Sequence, residues 1–173
     1  GFLKKVSRLV ASENLPVCWT TPKPLNFPVQ MMCYKKESKR VKTKMGDSII
    51  KLSIQSDTDE IDKRKTAQSI CPNLIHSLDA SCLMLAVIKA KDKGVTNFSL
   101  IHDSFGCVAP DVHKLSEAIR EAFCEVYEQD VLTNWAMEMK QMLSNKNAKK
   151  FPHIPERGNL DLSLVKQSIF FCV

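Results

Sequence analysis

The stretch Phe98-Ser99-Leu100-Ile101-His102-Asp103-Ser104-Phe105-Gly106-Cys107-Val108-Ala109 decides the fold. Apolar residues on both sides of a polar pair read as strand, sharp turn, strand, with His102 and Asp103 at the turn and Gly106 just past it. Val95 to Ile101 is apolar enough for a buried strand. A His-Asp pair where a buried strand ends is costly to desolvate unless something uses it. The dipeptide alone is weak: the chain has four histidines, and chance places an aspartate after one of them in about one sequence of five.

Upstream, Pro72 is expected to open a helix over about 73–93, ended by Gly94. Its apolar side is Leu74, Ile75, Leu78, Leu83, Leu85, Val87 and Ile88, and it carries His76, Asp79 and Cys82. A lone histidine on such a helix is more often half-buried and structural than functional. A separate, charged helix is expected over 60–69. Residues 2–13 read as a helix with Phe2, Leu3, Val6, Leu9 and Val10 on one face. Four prolines between Pro16 and Pro28 rule out one regular element there. Short strands are expected over 17–20 and 29–34. Downstream, Pro110 and the N-cap Asp111 introduce one long helix over about 112–143. A loop over 145–150 and a short helix over 163–167 follow. The apolar ending Ile169-Phe170-Phe171-Cys172-Val173 must dock into protein. These elements make an α+β fold.

Between Lys35 and Lys51 lie seven basic and two acidic residues, a surplus of five in a chain whose net charge is +6. Lysines and Arg40 partly alternate with Val41 and Thr43 at strand period, Met45-Gly46-Asp47 signals a turn, and Ser48 to Ile54 reads as the return strand. The pattern is a basic β-hairpin. Two readings stay open on pattern alone: a solvated edge that resists aggregation, or a nucleic-acid contact.

The chain has 173 residues, 44% of them hydrophobic, enough for one domain with a sizeable core. A charged fraction of 25% argues against wholesale disorder. No apolar run reaches the roughly 18 residues of a membrane span, and no secretory signal opens the chain. The seven cysteines are irregularly spaced without a CxxC pair. That points to reduced thiols rather than a disulfide framework or a structural zinc site.

Six segments occur in an order that resembles the single-subunit RNA polymerases of bacteriophages and mitochondria. Pro72 to Ser81 (PNLIHSLDAS) and Ser99 to Gly106 (SLIHDSFG) carry most of the likeness. Trp19-Thr20-Thr21-Pro22 with Phe27-Pro28-Val29 resembles the fingers segment before that family's specificity hairpin. Asp59-Glu60-Ile61-Asp62 with Lys65 resembles the hairpin's end. Arg120-Glu121-Ala122-Phe123 with Tyr127-Glu128 resembles the last palm helix. Pro155 to Leu162 (PERGNLDL), with Ser168 and the Phe-rich tail, resembles the C-terminus. The continuation Ser104-Phe105-Gly106 leans toward the phage branch.

The resemblance implies a right-handed polymerase fragment: the C-terminal part of the fingers over 1–75, with the specificity hairpin at about 34–62, and the C-terminal part of the palm over 76–173. It implies DNA-directed RNA polymerisation from NTPs by a two-magnesium mechanism. Asp103 would be the metal-binding catalytic aspartate and His102 its neighbour at the primer end. His76 would lie near the incoming nucleotide and its 2′-hydroxyl. In the hairpin, Arg40, Lys42, Lys44 and Lys51 would meet promoter DNA, since Arg and Lys suit guanine O6 and N7. The implied partners are promoter and template DNA, the RNA product, NTPs and an upstream polymerase portion, with no membrane; the implied setting is the cytoplasm of a phage-infected bacterium. Cys82, Cys107 and Cys172 depart from the family pattern. Nothing resembles the family's first-motif aspartate or second-motif helix, which leads to the expectation that the chain needs its upstream portion for activity. Two rivals come from other classes: a non-catalytic DNA-binding module built on the hairpin, and a His-Asp metal-dependent phosphohydrolase, which would need further ligands such as His113 or His153.

Overall fold

The computed structural model describes residues 1–101, 104–169 and 171. Helices and strands are mixed: α1 Phe2–Ser12, β1 Val17–Thr20, β2 Pro28–Met31, β3 Tyr34–Met45, β4 Ser48–Ile61, α2 Lys63–Asp92, β5 Phe98–Ile101, β6 Ser104–Cys107, α3 Val112–Glu128, α4 Val131–Met142, α5 Asn145–Ala148 and α6 Ser163–Gln167. The strands form three separate antiparallel pairs, β1–β2, β3–β4 and β5–β6. The expected α+β class is therefore observed.

The main core gathers the first and the later helices. Val6 and Val10 of α1, Val17 and Trp19 of β1, and Ile70 and Leu74 of α2 close on Trp135 and Met139 of α4. Phe2 stands edge-on to both Trp135 and Phe151. A second apolar seam runs between α2 and α3. Leu85 and Ala86 meet Ala122 and Val126, while Ala90 and Val95 meet Leu115 and Ala118. Ion pairs line that seam: Lys89 with Glu125 at 2.7 Å, and Lys93 with Glu117 at 2.9 Å and Glu121 at 3.2 Å.

Several expectations are corrected. The helices expected over 60–69 and 73–93 are one, α2, because Pro72 lies inside it. The N–H that Pro72 lacks would have bonded the carbonyl of Gln68, an exposed residue whose carbonyl water can serve. The buried stripe Thr66, Ile70, Leu74, Leu78, Leu85 continues across the proline, and that packing outweighs one missing bond. Asp62 caps the helix, accepting from the N–H groups of Arg64 and Lys65 at 2.9 Å. Ile75 and Ile88, expected on the apolar side, are exposed. By length and composition α2 could also cross a membrane; in this fold its buried stripe packs on α1 and α3.

The helix expected over 112–143 is two. Gln129 is extended, Asp130 caps α4 through the Thr133 N–H, and the Gln129 side chain turns to Lys23. There it accepts from the backbone N–H at 3.0 Å and donates to the carbonyl at 2.8 Å. Asp111 stands at the N-cap of α3, but its carboxylate pairs with Lys114 instead of capping. The loop expected over 145–150 contains the one-turn helix α5. The strand over 95–101 is buried at Val95 only; Leu100 and Ile101 are exposed. A two-stranded ribbon covers one face, and here Phe98, Phe105 and Cys107 take it against α3.

Candidate active site and nucleic-acid interface

α2, β6 and α3 enclose a cleft of about 860 Å³. His76 and Asp79, one turn apart on α2, stand at its polar end. Phe105 of β6 and Phe123 and Tyr127 of α3 supply aromatic walls, and Phe171 closes it from the C-terminal segment. His76 is exposed, so the half-buried structural reading of this residue does not hold. β5 and β6 pair from Phe98↔Cys107 to Ile101↔Ser104. The two expected catalytic residues between them, His102 and Asp103, lie outside the described residues. Phe105 is two residues beyond Asp103 in the chain, so β6 lines the same cleft as His76.

The cleft is a poor place for thiolate chemistry. Burial, and next the negative charge of Asp79, push the Cys82 thiol up to about 11. Burial likewise raises Tyr127 above the ordinary phenol value. At pH 8 about a thousandth of Cys82 is thiolate. Iodoacetamide at that pH should therefore label the exposed Cys71 long before Cys82, as read by peptide mass spectrometry; equal labelling would contradict the burial.

Sequence reading missed how the C-terminal segment is held. It runs back along α3. Arg157 donates to the carbonyls of Glu128 (2.9 Å) and Tyr127. The Cys124 thiol donates to the Leu162 carbonyl at 3.4 Å. Arg120 donates to the carbonyls of Val165 (2.9 Å), Ser168 and Phe171 (3.5 Å). Its guanidinium also lies 5.5 Å from the Phe171 ring centroid, and that ring meets Phe123 edge-on at 5.2 Å. The expected docking of the tail is thus seen at Phe171, whereas Ile169 is 85% exposed. Arg120 and Tyr127 were visible in the sequence only as part of a motif.

Among the described residues no three His, Cys, Asp or Glu side chains come together as a metal site. His113 and His153 are both exposed and join no such group, so nothing among the described residues supports a phosphohydrolase centre. Six described cysteines, Cys18, Cys33, Cys71, Cys82, Cys107 and Cys124, are unpaired, in line with reduced thiols.

The basic hairpin runs from Tyr34 to Ile61, with its return strand passing the Ile54 at which the strand pattern ended. Its two-residue turn, Gly46-Asp47, has Gly46 at a φ of +60°, a conformation that suits glycine at the first turn position. Charge is polarised along it. Lys39, Arg40, Lys42, Lys44 and Lys51 lie toward the tip. Asp57, Asp59 and Glu60 lie at the root, where Lys35 pairs with Glu60 and Lys36 sits opposite Asp57. Register divides the faces. Arg40↔Ser53, Lys42↔Lys51 and Lys44↔Ile49 are cross-strand partners, so all four expected DNA residues share one face. Lys39↔Ile54, Val41↔Leu52 and Thr43↔Ile50 make the other, largely apolar face. The directly opposed Lys42 and Lys51 repel each other, a cost to the isolated ribbon.

A histidine-bearing helix and β6 of the pair β5–β6 thus line one cleft, and a basic hairpin leads into the start of that helix. The family model of the DNA-dependent RNA polymerases matches residues 3–151, and the chain belongs to this family, in its phage-type, single-subunit form. It is 40% identical over 165 residues to the DNA-directed RNA polymerase 2, chloroplastic/mitochondrial, of Arabidopsis thaliana, covering 95% of this chain and 15% of that protein. It is 34% identical over 171 residues to the mitochondrial DNA-directed RNA polymerase 1 of Nicotiana sylvestris, covering 99% of this chain and 16% of that protein. A DNA-directed RNA polymerase 1A of Nicotiana tabacum is 35% identical over 163 residues, 94% of this chain and 99% of that protein. The chain thus spans about a sixth of the first two relatives.

These relatives overturn the expected setting. Proteins named chloroplastic and mitochondrial, from plants, point to organelles and not to the cytoplasm of a phage-infected bacterium. The lean toward the phage branch drawn from Ser104-Phe105-Gly106 is corrected with it: three residues, of which Phe105 packs on a helix, record little about lineage.

Proposed function

We propose that the chain is the C-terminal catalytic portion of a plant organellar DNA-directed RNA polymerase, extending an RNA 3′ end with NTPs on a DNA template. On this reading residues 1–75 end the fingers and 76–173 belong to the palm. The observation that carries it is the cleft lined both by His76 of α2 and by Phe105 of β6, two residues after Asp103 in the chain.

His76 is proposed to contact the incoming nucleotide near its 2′-hydroxyl, and His102 to approach the primer end. Asp103 is proposed as one carboxylate ligand of magnesium, a hard cation that often takes only one or two protein carboxylates beside substrate phosphates. When bound, magnesium neutralises charge on the reacting phosphates. The remaining protein ligand is assigned to the upstream portion, because no segment of the chain resembles the family's first-motif aspartate. Arg40, Lys42, Lys44 and Lys51 are proposed to enter a promoter groove. A two-stranded ribbon fits the major groove, about 12 Å wide, and phosphates there would relieve the Lys42–Lys51 repulsion. Arg120, by holding the C-terminal segment, keeps Phe171 against the cleft.

Nucleotide incorporation on a primed template tests the reading. The purified chain alone is expected to be inactive, and the chain together with its upstream portion active. Robust incorporation by the chain alone would overturn the division of labour, and none by the combination would overturn the function.

A further inference from the structure

The hairpin of β3 and β4 projects from the body with no partner layer, and what fixes its direction is a short list of contacts at its root. Asn14, just past α1, has a φ of +58°, a left-handed conformation that asparagine tolerates better than most residues. Its side-chain Oδ1 accepts from the Ile61 N–H at 2.7 Å, and its Nδ2 donates to the Asp59 carbonyl at 3.0 Å. The amide therefore serves one edge of β4, at residues 59 and 61, as one residue of an added parallel strand would. Among the described residues, these two bonds are the only hydrogen bonds from residues 1–31 into 34–61. No described ion pair joins the hairpin to the body either; Lys35–Glu60 and Lys39–Glu37 are both internal.

The neighbouring residue grips the other side. The Glu13 carboxylate accepts from the Ser144 N–H at 3.0 Å, from the Ser144 hydroxyl at 2.5 Å and from the Asn147 amide at 2.6 Å. It thereby fastens the end of α1 to the start of α5. The Ser144 bonds are also what hold its pKa below the ordinary carboxylate value. Two consecutive residues thus hold the body with one side chain and the hairpin with the next.

We infer that Asn14 is a positioning residue for DNA recognition, fixing the angle at which the basic face of the hairpin is presented. This rests on the proposed DNA role of that face. Contacts with base edges need a defined approach, whereas phosphate attraction tolerates a swinging arm. Loss of Asn14 should therefore lower discrimination between sequences more than it lowers general attraction to DNA.

The experiment uses the complete polymerase carrying this segment, a duplex enriched from a random library by the wild type, and a shuffled duplex of the same composition. Asn14→Gly keeps the backbone conformation accessible and deletes both bonds. It is expected to reduce the ratio of specific to shuffled affinity about tenfold while leaving the salt slope within about one unit. The Ile61 amide should also exchange faster in that variant, with mid-hairpin amides unchanged. Asn14→Asp keeps the acceptor for Ile61 and loses the donor, and should fall between the two. An unchanged ratio in Asn14→Gly, or equal losses on both duplexes, overturns the inference while leaving the DNA role standing. A wild type that enriches no duplex overturns the DNA role and this inference with it.

Discussion

Asp103→Asn in the complete polymerase is expected to abolish turnover while DNA binding stays within about threefold of wild type. Asparagine keeps the size of the side chain and one oxygen but removes the charge that a hard divalent cation requires. Metal-ion stabilisation of the transition state is worth several kcal/mol, which corresponds to a loss of at least about a thousandfold in rate. Binding should survive because β5 and β6 pack on α3, whereas the basic hairpin leaves from the opposite end of α2. Single-turnover incorporation and a filter-binding titration on the same preparation separate the two effects. Wild-type turnover would refute the catalytic assignment, and parallel loss of binding would indicate a folding defect at the turn.

The second large effect is expected from the hairpin. Replacing Arg40, Lys42, Lys44 and Lys51 together by Ala should weaken specific DNA binding roughly a thousandfold, at about sixfold per contact. Every one of the four that meets a phosphate should also reduce the slope of log affinity against log salt by about 0.9. A fall of nearly four units would make all of them phosphate contacts. A smaller fall with relaxed sequence preference would divide them between phosphates and bases. Lys39→Ala is the internal control. It removes the same charge from the same strand, but its cross-strand partner is Ile54 on the apolar face. If Lys39→Ala matched the single variants of the other four, the assignment of one face to DNA would fail.

Much of this fold was legible because its strongest signals are local. The strand over 17–20 and the helix over 163–167 have the bounds expected, and α1 ends within one residue of expectation. The hairpin turn was fixed by Gly46, and the pair β5–β6 by apolar runs on both sides of His102-Asp103. What failed depends on partners distant in sequence. Pro72 is the strongest helix breaker in the chain, yet long-range burial of Ile70 and Leu74 against α1 and α4 carries α2 through it. The break at Gln129 shows in the pattern only as a change of phase, since the nine residues from Val126 to Trp135 would put these two on opposite faces of one helix; the bonds from Gln129 to Lys23 that shape it span 106 residues. For the site, His76 and the four basic residues were found as motif and charge. The clamp of Arg120 on three carbonyls leaves no sequence pattern, because any residues supply carbonyls.

Pro72 inside a helix rather than between two helices has a mechanical consequence. α2 starts at Lys63, two residues after the last hairpin residue Ile61, and continues through Pro72 to His76. Thirteen residues of helix make a lever of about 20 Å. A tilt of about 5° where the hairpin meets α2 would carry His76 by nearly 2 Å, and displacements of about 1 Å can change reaction rates a hundredfold. Engagement of the arm far from the cleft would therefore bear on the geometry inside it through one continuous helix.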